Sequence, residues 1–282
     1  MTSLSAADRA LLDSELPSPR QAHLSDGATI EYRCAGRQGP AVVLLHGIGS
    51  SSAGFRAQLA GLSGSCRVFA WTAPGYGAST PLPSATPGVE DYAGRLHLWL
   101  QALDLSNVHV LGSSWGTLIA NAYAGAYPDN VRSVVLAAPT RGYGTLEPAE
   151  KARRIAARLD PATRAAAPAA RAAQFLGPQP DPLVVERFGQ LSEAVHPEGL
   201  AQATRMLFAA DGLALARASR APTLVLAGSH DQVTPPAEHA WVLRDAIPGA
   251  ESATLSDCGH ILKLEAPAQF NRRVDDFFHQ HS

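Results

Sequence analysis

The sequence predicts an α/β protein whose mostly parallel sheet carries helices on both faces and a helical insertion. Short apolar runs typical of buried strands alternate with segments of helical spacing over the first 140 residues, and the alternation returns after residue 220. Parallel strands that are covered on both faces give such continuous apolar runs. With 282 residues, 46% of them hydrophobic, the chain can bury a sizeable core.

The elements outside the insertion follow one another as strand, helix and strand units, the order that builds a parallel sheet. The predicted strands are 29–34, 41–47, Arg67–Trp71, Val108–Ser113, 131–139, Thr223–Gly228 and 252–255. The predicted helices are 89–103, 116–127, 238–247 and 267–279.

Residues 141–220 differ from the rest of the chain. They are rich in alanine and arginine, show no strand pattern, and are predicted to form helices broken by Pro161, Pro168 and Pro178. We therefore expect one α/β core domain from residues 1–140 and 221–282. Residues 141–220 would be inserted in it as a helical cap, or lid.

Composition and charge indicate a small molecule as the partner. A formal net charge of −2 gives little attraction to nucleic acid or to an anionic membrane, so neither is expected. The first twenty residues contain neither a signal-peptide core nor a long apolar span, which favours a cytoplasmic protein. Cys34, Cys66 and Cys258 form no CxxC or CxxH pair, so no disulfide framework and no metal site are expected. Whether the chain is a monomer or a homodimer stays open.

A pair of serines at the end of a predicted strand contains the candidate nucleophile. The stretch reads GSSWG, and in the pattern G-x-S-x-G the glycines flank Ser114, whereas Ser113 is flanked by Leu111 and Trp115. A sharp turn from strand to helix needs these glycines because a side chain at either position would collide with neighbouring backbone. The register therefore selects Ser114, with an ordinary strand-to-helix turn as the alternative interpretation.

A serine hydroxyl needs a base, and two loops downstream provide polar candidates. Asp231 lies three residues after the predicted strand Thr223–Gly228, and His260 lies in the loop before the last helix. The chain order Ser, Asp, His is one that catalytic serines use in α/β folds. Asp257, three residues before His260, is the alternative acid, and His230 is interpreted as a solvated loop residue.

Four motifs make the sequence resemble the α/β-hydrolase fold superfamily over residues 21–278. They are HGIG at 46–49, GSSWG at 112–116, GSHDQVTP at 228–235, and GH at 259–260 followed by Glu265 and Pro267. The resemblance implies an eight-stranded, mostly parallel sheet with a helical cap. One departure is visible in TAPGYGAS, where Thr72 stands at a position that is aspartate in many members.

By this resemblance the site is a Ser-His-Asp triad. Ser114 attacks, His260 takes its proton and later protonates the leaving group, and Asp231 orients the imidazole. The backbone N–H groups of Ile48 and Trp115 would form the oxyanion hole.

The resemblance implies a serine hydrolase without a cofactor that cleaves a small carboxylic ester, lactone or related acyl compound through an acyl-enzyme. Hydrolysis of a carbon–carbon or amide bond by the same triad is the second interpretation. A ligand receptor that retains a slow triad is an alternative from another class. Arginines of the insertion are candidates for binding a substrate carboxylate, and Arg141, Arg187 and Arg205 are the first choices.

Overall fold

The structure, a computed structural model, describes residues 4–161, 168–192 and 195–282 and contains an eight-stranded sheet. The strands are β1 Arg20–His23, β2 Thr29–Ala35, β3 Ala41–Leu45, β4 Arg67–Trp71, β5 Val108–Ser113, β6 Val131–Ala137, β7 Thr223–Gly228 and β8 Glu251–Leu255. Their spatial order is β1-β2-β4-β3-β5-β6-β7-β8. The first two strands pair antiparallel and the six from β3 to β8 are parallel, which confirms the predicted fold class.

The carboxyl ends of β3, β5, β6 and β7 lie at the same edge of the sheet. Leu45 at the end of β3 pairs with Gly112 on β5, and Ser113 pairs with Ala137 on β6. From β3 the chain continues to β4 on one side and then to β5 on the other. Ligands of open α/β sheets bind outside such a reversal, so the loops after these strands meet where a site is expected.

The described residues form helices on both faces of the sheet and in the stretch between β6 and β7. These helices are α1 Ala6–Leu12, α2 Arg56–Leu62, α3 Val89–Ala102, α4 Gly116–Ala126, α5 Pro148–Leu159, α6 Pro168–Phe175, α7 Pro182–Gly189, α8 Pro197–Ala209, α9 Gly212–Ala218, α10 Ala240–Ala246, α11 Leu262–Glu265 and α12 Pro267–Gln280. Val43 and Leu45 of β3 belong to one core with α3, α4 and α10, whereas Val42 and Leu44 belong to a second core with α2 and α12. This alternation follows the two-residue period of a strand.

The helices from α5 to α9 follow one another between β6 and β7. Proline is the first residue of α5, α6, α7 and α8, where its fixed φ suits the helix and its missing N–H has no partner to lose. As expected from the prolines, α5 ends before Pro161, and Pro178 lies between α6 and α7. The predicted helical stretch at 162–167 lies outside the described residues.

Four elements outside residues 141–220 were not predicted from the sequence patterns: β1, α1, α2 and the four-residue helix α11. Strand β1 exposes three of its four residues, so it contains no apolar run. Helices α1 and α2 have seven residues each, which is too short for a clear helical period. The predicted strand 131–139 ends at Ala137, because Ala138 has a φ of 45° and leaves the extended region. None of the helices in the described ranges is long and apolar enough to cross a membrane.

Candidate active site

Ser114 occupies a tight turn between β5 and α4. Its φ is 53°, in the left-handed region that non-glycine residues rarely adopt. A Cβ atom on Gly112 would lie 2.5 Å from the Gly116 carbonyl oxygen, and one on Gly116 would lie 2.4 Å from the Leu45 carbonyl oxygen. The Ser114 N–H still donates to Ala137 on β6 at 2.8 Å. The two glycines are therefore required by backbone contact, and they let the turn project the serine side chain from the sheet edge.

Ser114, His260 and Asp231 form one chain of hydrogen bonds. Nδ1 of His260 lies 2.9 Å from Oδ2 of Asp231, and Nε2 lies 2.8 Å from Oγ of Ser114. Because an ionised carboxylate only accepts, Nδ1 carries the proton, and Nε2 accepts from the serine hydroxyl. His260 is only 3% exposed, so the imidazole is shielded from water. The structure thus brings the three residues together in the geometry of a nucleophile, a base and its orienting acid.

Asp231 lies in the loop after β7 and is held by its own turn. Its Oδ1 accepts the N–H groups of Val233 and Thr234, each at 2.9 Å, and its Oδ2 accepts the Thr234 hydroxyl at 2.9 Å. Desolvation opposes ionisation, but the hydrogen bonds from His260 and Thr234 outweigh it and hold the pKa of Asp231 below its usual range. The carboxylate is therefore ionised when it faces the imidazole.

The alternative polar residues lie elsewhere. Asp257 is exposed, and its N–H donates to the hydroxyl of Ser229 at 2.9 Å. The ring of His230 is also exposed and interacts with Ser229. Ser113 accepts a hydrogen bond from the buried Lys263 at 3.2 Å. In the described ranges, none of these three side chains forms a hydrogen bond with His260.

The loop that carries His260 is held in place by the carboxyl end of α6 and the residues that follow it. The His260 N–H donates to the Phe175 carbonyl at 2.7 Å, and the Phe175 ring meets the imidazole edge-on at 5.7 Å. A Cβ atom on Gly259 would lie 2.6 Å from the same carbonyl oxygen. Glu265 accepts the N–H of Gly177 at 2.6 Å and the N–H of Gly259 at 3.0 Å. Backbone from the helical segment and backbone beside the imidazole therefore share one half-buried carboxyl group.

The two candidate oxyanion donors, Ile48 and Trp115, belong to segments that adjoin Ser114. Ile48 follows Gly47, and a Cβ atom on Gly47 would lie 3.2 Å from the Cβ of Ser114. Trp115 directly follows Ser114 and caps α4. Neither the Ile48 nor the Trp115 N–H donates to an acceptor in the part of the chain that the structure describes. Both donors are free to meet an oxygen beside the serine.

His46 fixes the loop that carries Ile48. Its Nε2 accepts the Ala73 N–H at 2.9 Å, and its Nδ1 donates to the Gly47 carbonyl at 2.8 Å. Burial lowers the pKa of His46 to about 4. Because both ring nitrogens already have partners, His46 stays neutral and holds the loop in place.

Among the described residues, none of the three arginines chosen from the sequence forms a hydrogen bond or an ion pair with Ser114, His260 or Asp231. Arg187 donates to Asp13 and to the Leu12 carbonyl, each at 3.0 Å, so its guanidinium is occupied by the N-terminal segment. Arg205 donates to the Ala85 carbonyl at 3.0 Å. Arg141 is exposed, and its side chain forms no hydrogen bond with the described residues. Patterns of charge in helices did not reveal which guanidinium groups already had partners.

Thr234, Lys263 and Arg158 are polar residues whose positions the sequence analysis did not single out. Thr234 lies in the motif GSHDQVTP at 228–235, so the sequence alone indicates that it lies close to Asp231. Lys263 follows His260 by three residues, but its burial depends on packing against Phe55, whose ring centre lies 4.9 Å from the ammonium.

Among the described residues, no group of three or more metal-ligating side chains is arranged to hold a metal ion.

Comparison with known proteins identifies the family. A family model described as alpha/beta hydrolase fold matches residues 40–267. The chain belongs to this family. The crystal structure of a hydrolase from Pseudomonas aeruginosa is similar to this α/β hydrolase with a TM-score of 0.81 and 30% identity, and the match covers 93% of this chain and 98% of that one.

Two curated relatives have stated activities. A pimeloyl-[acyl-carrier protein] methyl ester esterase of Chromobacterium violaceum is 30% identical over 244 residues, which are 84% of this chain and 93% of the esterase. A 2-hydroxy-6-oxononadienedioate/2-hydroxy-6-oxononatrienedioate hydrolase of Pseudomonas putida is 29% identical over 287 residues, covering 95% of this chain and 98% of the relative. This α/β hydrolase is therefore an enzyme with esterases and other hydrolases among its relatives.

Proposed function

We propose that the protein hydrolyses a small carboxylic ester, lactone or related acyl compound through an acyl-enzyme formed on Ser114. The unbroken hydrogen-bond chain from Ser114 through His260 to Asp231 carries this proposal. A serine hydroxyl becomes a good nucleophile only when a base takes its proton, and the 2.8 Å contact with Nε2 provides that base.

Each step of the reaction uses groups in this arrangement. The Ser114 oxygen attacks the carbonyl carbon while its proton passes to Nε2 of His260, and Asp231 stabilises the imidazolium. The tetrahedral oxyanion accepts hydrogen bonds from the N–H groups of Ile48 and Trp115. Each such hydrogen bond typically stabilises the transition state by about 3 kcal/mol. The imidazolium then protonates the departing alcohol. Water, deprotonated by the same nitrogen, cleaves the acyl-enzyme, releases the acid and restores the serine.

The domain division predicted from the sequence fits this reaction. Residues 1–140 and 221–282 supply the triad, and residues 141–220 would form the cap that shapes the pocket and excludes water. The contact between Phe175 and His260 supports a cap close to the reacting groups. The proposed partner is a small molecule, with no nucleic acid or membrane involved, and the cytoplasm stays the compartment predicted from the sequence.

The test is labelling with a fluorophosphonate together with turnover of p-nitrophenyl acetate. We expect the adduct on the peptide that contains Ser114, and a loss of turnover of at least ~10³-fold in Ser114→Ala. Ser113→Ala is the matched control, because it removes a neighbouring hydroxyl that has no contact with His260. Labelling at another residue, or turnover that survives in Ser114→Ala, would refute the proposal.

Hydrolysis of a carbon–carbon bond next to a ketone is the second candidate function. It is favoured by the Pseudomonas putida relative, whose name states an oxo-dicarboxylic acid as its substrate and whose match covers 95% of this chain. The same serine, histidine and N–H groups can act on a carbon–carbon bond adjacent to a carbonyl. Assays of purified protein on esters, lactones and vinylogous diketones, with Ser114→Ala as the blank, separate the two candidates by their relative kcat/KM.

A further inference from the structure

Helix α5 turns one guanidinium toward the interior. Lys151, Ile155 and Arg158 follow the i, i+4, i+7 spacing of one helix face, and all three are half-buried, whereas Arg153 and Ala157 are exposed. Ile155 packs against the main hydrophobic core of the protein. Arg158 therefore lies on the face of α5 that is directed at the core domain.

Arg158 lacks the carboxylate partner that its neighbours on the same helix have. Arg153 and Arg154 both bind Glu150, with nitrogen–oxygen distances of 2.8 and 2.6 Å. In the described ranges, Arg158 forms neither an ion pair nor a hydrogen bond. A half-buried cation without an acceptor is unfavourable, because it loses water without gaining a partner.

Two tyrosines that interact with this guanidinium connect helix α5 with the candidate active site. Burial lowers the pKa of Arg158, and Tyr143 and Tyr76 are the polar groups that face it and favour its charged form. The Tyr76 ring centre lies 5.2 Å from that of His46 and 6.5 Å from that of Trp115, beside the two candidate oxyanion donors. Ile155 and Tyr143 pack against the same hydrophobic core that contains Tyr76 and Trp115, so the inward face of α5 and the turn at Ser114 border one core.

Tyr143 contacts aromatic rings from two other elements. Its ring stacks on Phe208 of α8 with centres 5.0 Å apart, and it meets His239 edge-on at 6.3 Å. His239 in turn accepts the Arg141 N–H at 3.2 Å in the loop after β6. Tyr143 and Tyr76 thus connect the inward face of α5 with loops at the carboxyl edge of the sheet.

We propose that Arg158 is an anion subsite that binds a carboxylate carried by the substrate, so that the preferred substrates are esters of the hemi-ester type, with a free acid at the far end of the acyl chain. The planar guanidinium can donate two parallel hydrogen bonds to a carboxylate, which fixes the chain end and its distance from the scissile carbonyl. This inference rests on the proposed ester hydrolysis at Ser114 for its reaction but not for its binding site.

The kinetic test compares p-nitrophenyl hydrogen adipate with p-nitrophenyl hexanoate, two acyl chains of equal length that differ in one terminal carboxylate. We expect Arg158→Met to lower kcat/KM on the adipate ester by about 10- to 100-fold, the usual range for a lost charged hydrogen bond. The hexanoate ester should change by less than about 3-fold. Arg158→Lys should keep part of the preference, and Arg153→Met, on the exposed face of α5, should keep all of it.

Binding is measured separately from chemistry in the Ser114→Ala background. Adipate should raise the melting temperature of Ser114→Ala and fail to do so in Ser114→Ala with Arg158→Met, because only a ligand of the folded state stabilises it. Binding with no hydrolysis of either ester would count against the proposed reaction and leave the subsite in place. Equal losses on both esters in Arg158→Met, or no preference for the anionic ester in the wild type, would overturn the subsite.

Discussion

Ser114 shows how much a single position depends on residues far from it in sequence. Its left-handed φ is compatible with the fold because Gly112 and Gly116 leave room for backbone that comes from β3 and α4. The glycine register predicted this turn from five letters. The same pattern could not reveal that Ser113, one residue earlier, meets the ammonium of Lys263, because that contact joins two segments 150 residues apart.

Arg158 and Thr234 illustrate the same limit. The helical spacing in AEKARRIAARL places Arg158 on one face of α5, but only the packed structure shows which face is inward and which arginines bind Glu150. The order of Ser114, Asp231 and His260 was predictable because each lies in a recognised motif close to the end of a strand or the start of a helix. Groups that act through tertiary contacts have no comparable pattern in the sequence.

Lys263 provides a test at the scale of one residue. It is 3% exposed, and among the described residues its ammonium donates only to Ser113. Burial lowers the pKa of Lys263 to about 8 from 10.5. Below pH 8 both folded and unfolded chains hold the proton, and the folded state carries the cost of a buried charge. Between pH 8 and 10.5 the folded chain releases the proton first. The contribution of Lys263 to the free energy of unfolding should therefore rise with pH in that window, by on the order of 3 kcal/mol.

Urea unfolding of wild type and Lys263→Met from pH 7 to 10.5 measures this contribution. The variant should lack the increase, because methionine fills a similar space without a titratable group. Lys151→Met is the control, since Lys151 lies on helix α5 and donates to the Gly144 carbonyl. A parallel pH dependence in wild type and Lys263→Met would contradict the assignment.

At the scale of elements, the central strands were predictable and the peripheral ones were not. Strands β3, β5, β6 and β7 are buried on both faces and give continuous apolar runs. Strand β1 is an edge with one buried residue, and its pairing with β2 determines it more than its own composition does. Likewise, α1 is defined by a capping box between Ser5 and Asp8, a short signal without a periodic run behind it.

Glu265 tests the connection between elements. Its carboxyl group accepts N–H groups of Gly177, after α6, and of Gly259, next to His260. Glu265→Gln replaces one acceptor oxygen by a donor, so one of these contacts becomes unfavourable and the imidazole shifts. We expect kcat to fall by about 10- to 100-fold, the scale of a displacement of about 1 Å at a reacting group, with little change in KM.

The control for this measurement is Glu251→Gln, an exposed glutamate on β8. A melting temperature close to that of the wild type would show that the variant is folded. If Glu265→Gln retained full kcat, or if KM rose while kcat stayed constant, Glu265 would have no part in positioning His260.

At the scale of the whole molecule, the N-terminal helix joins parts of the chain that are distant in sequence. Asp8 accepts the Ala268 N–H at 2.9 Å, in the first turn of α12. Arg9 forms an ion pair with Asp181 at 2.5 Å, at the start of α7. Together with the Arg187 contacts to residues 12 and 13, these bonds connect the helices between β6 and β7 to the second core.

Arg187→Ala tests this connection and the first expectation for that residue. It should lower the free energy of unfolding by about 1 kcal/mol, because its partners are partly exposed and such pairs contribute little. The kcat/KM on anionic and neutral esters should stay unchanged, since the hydrogen bonds of this guanidinium to described residues go to Leu12, Asp13, Glu186 and Gln190 and not to the triad. A selective loss on the anionic ester would instead make Arg187 a substrate-binding residue.

The backbone of residues 175–177 passes directly against Gly259, and this close approach has a consequence for protein engineering. Helical segments between the sixth and seventh strands are attractive units to exchange among homologues when a new specificity is wanted. In this chain such a transplant would sever the support of the imidazole unless the incoming segment presents the same carbonyl and amide at this close approach. Recombination breakpoints should therefore be placed so that Phe175, Gly177 and Glu265 are inherited together.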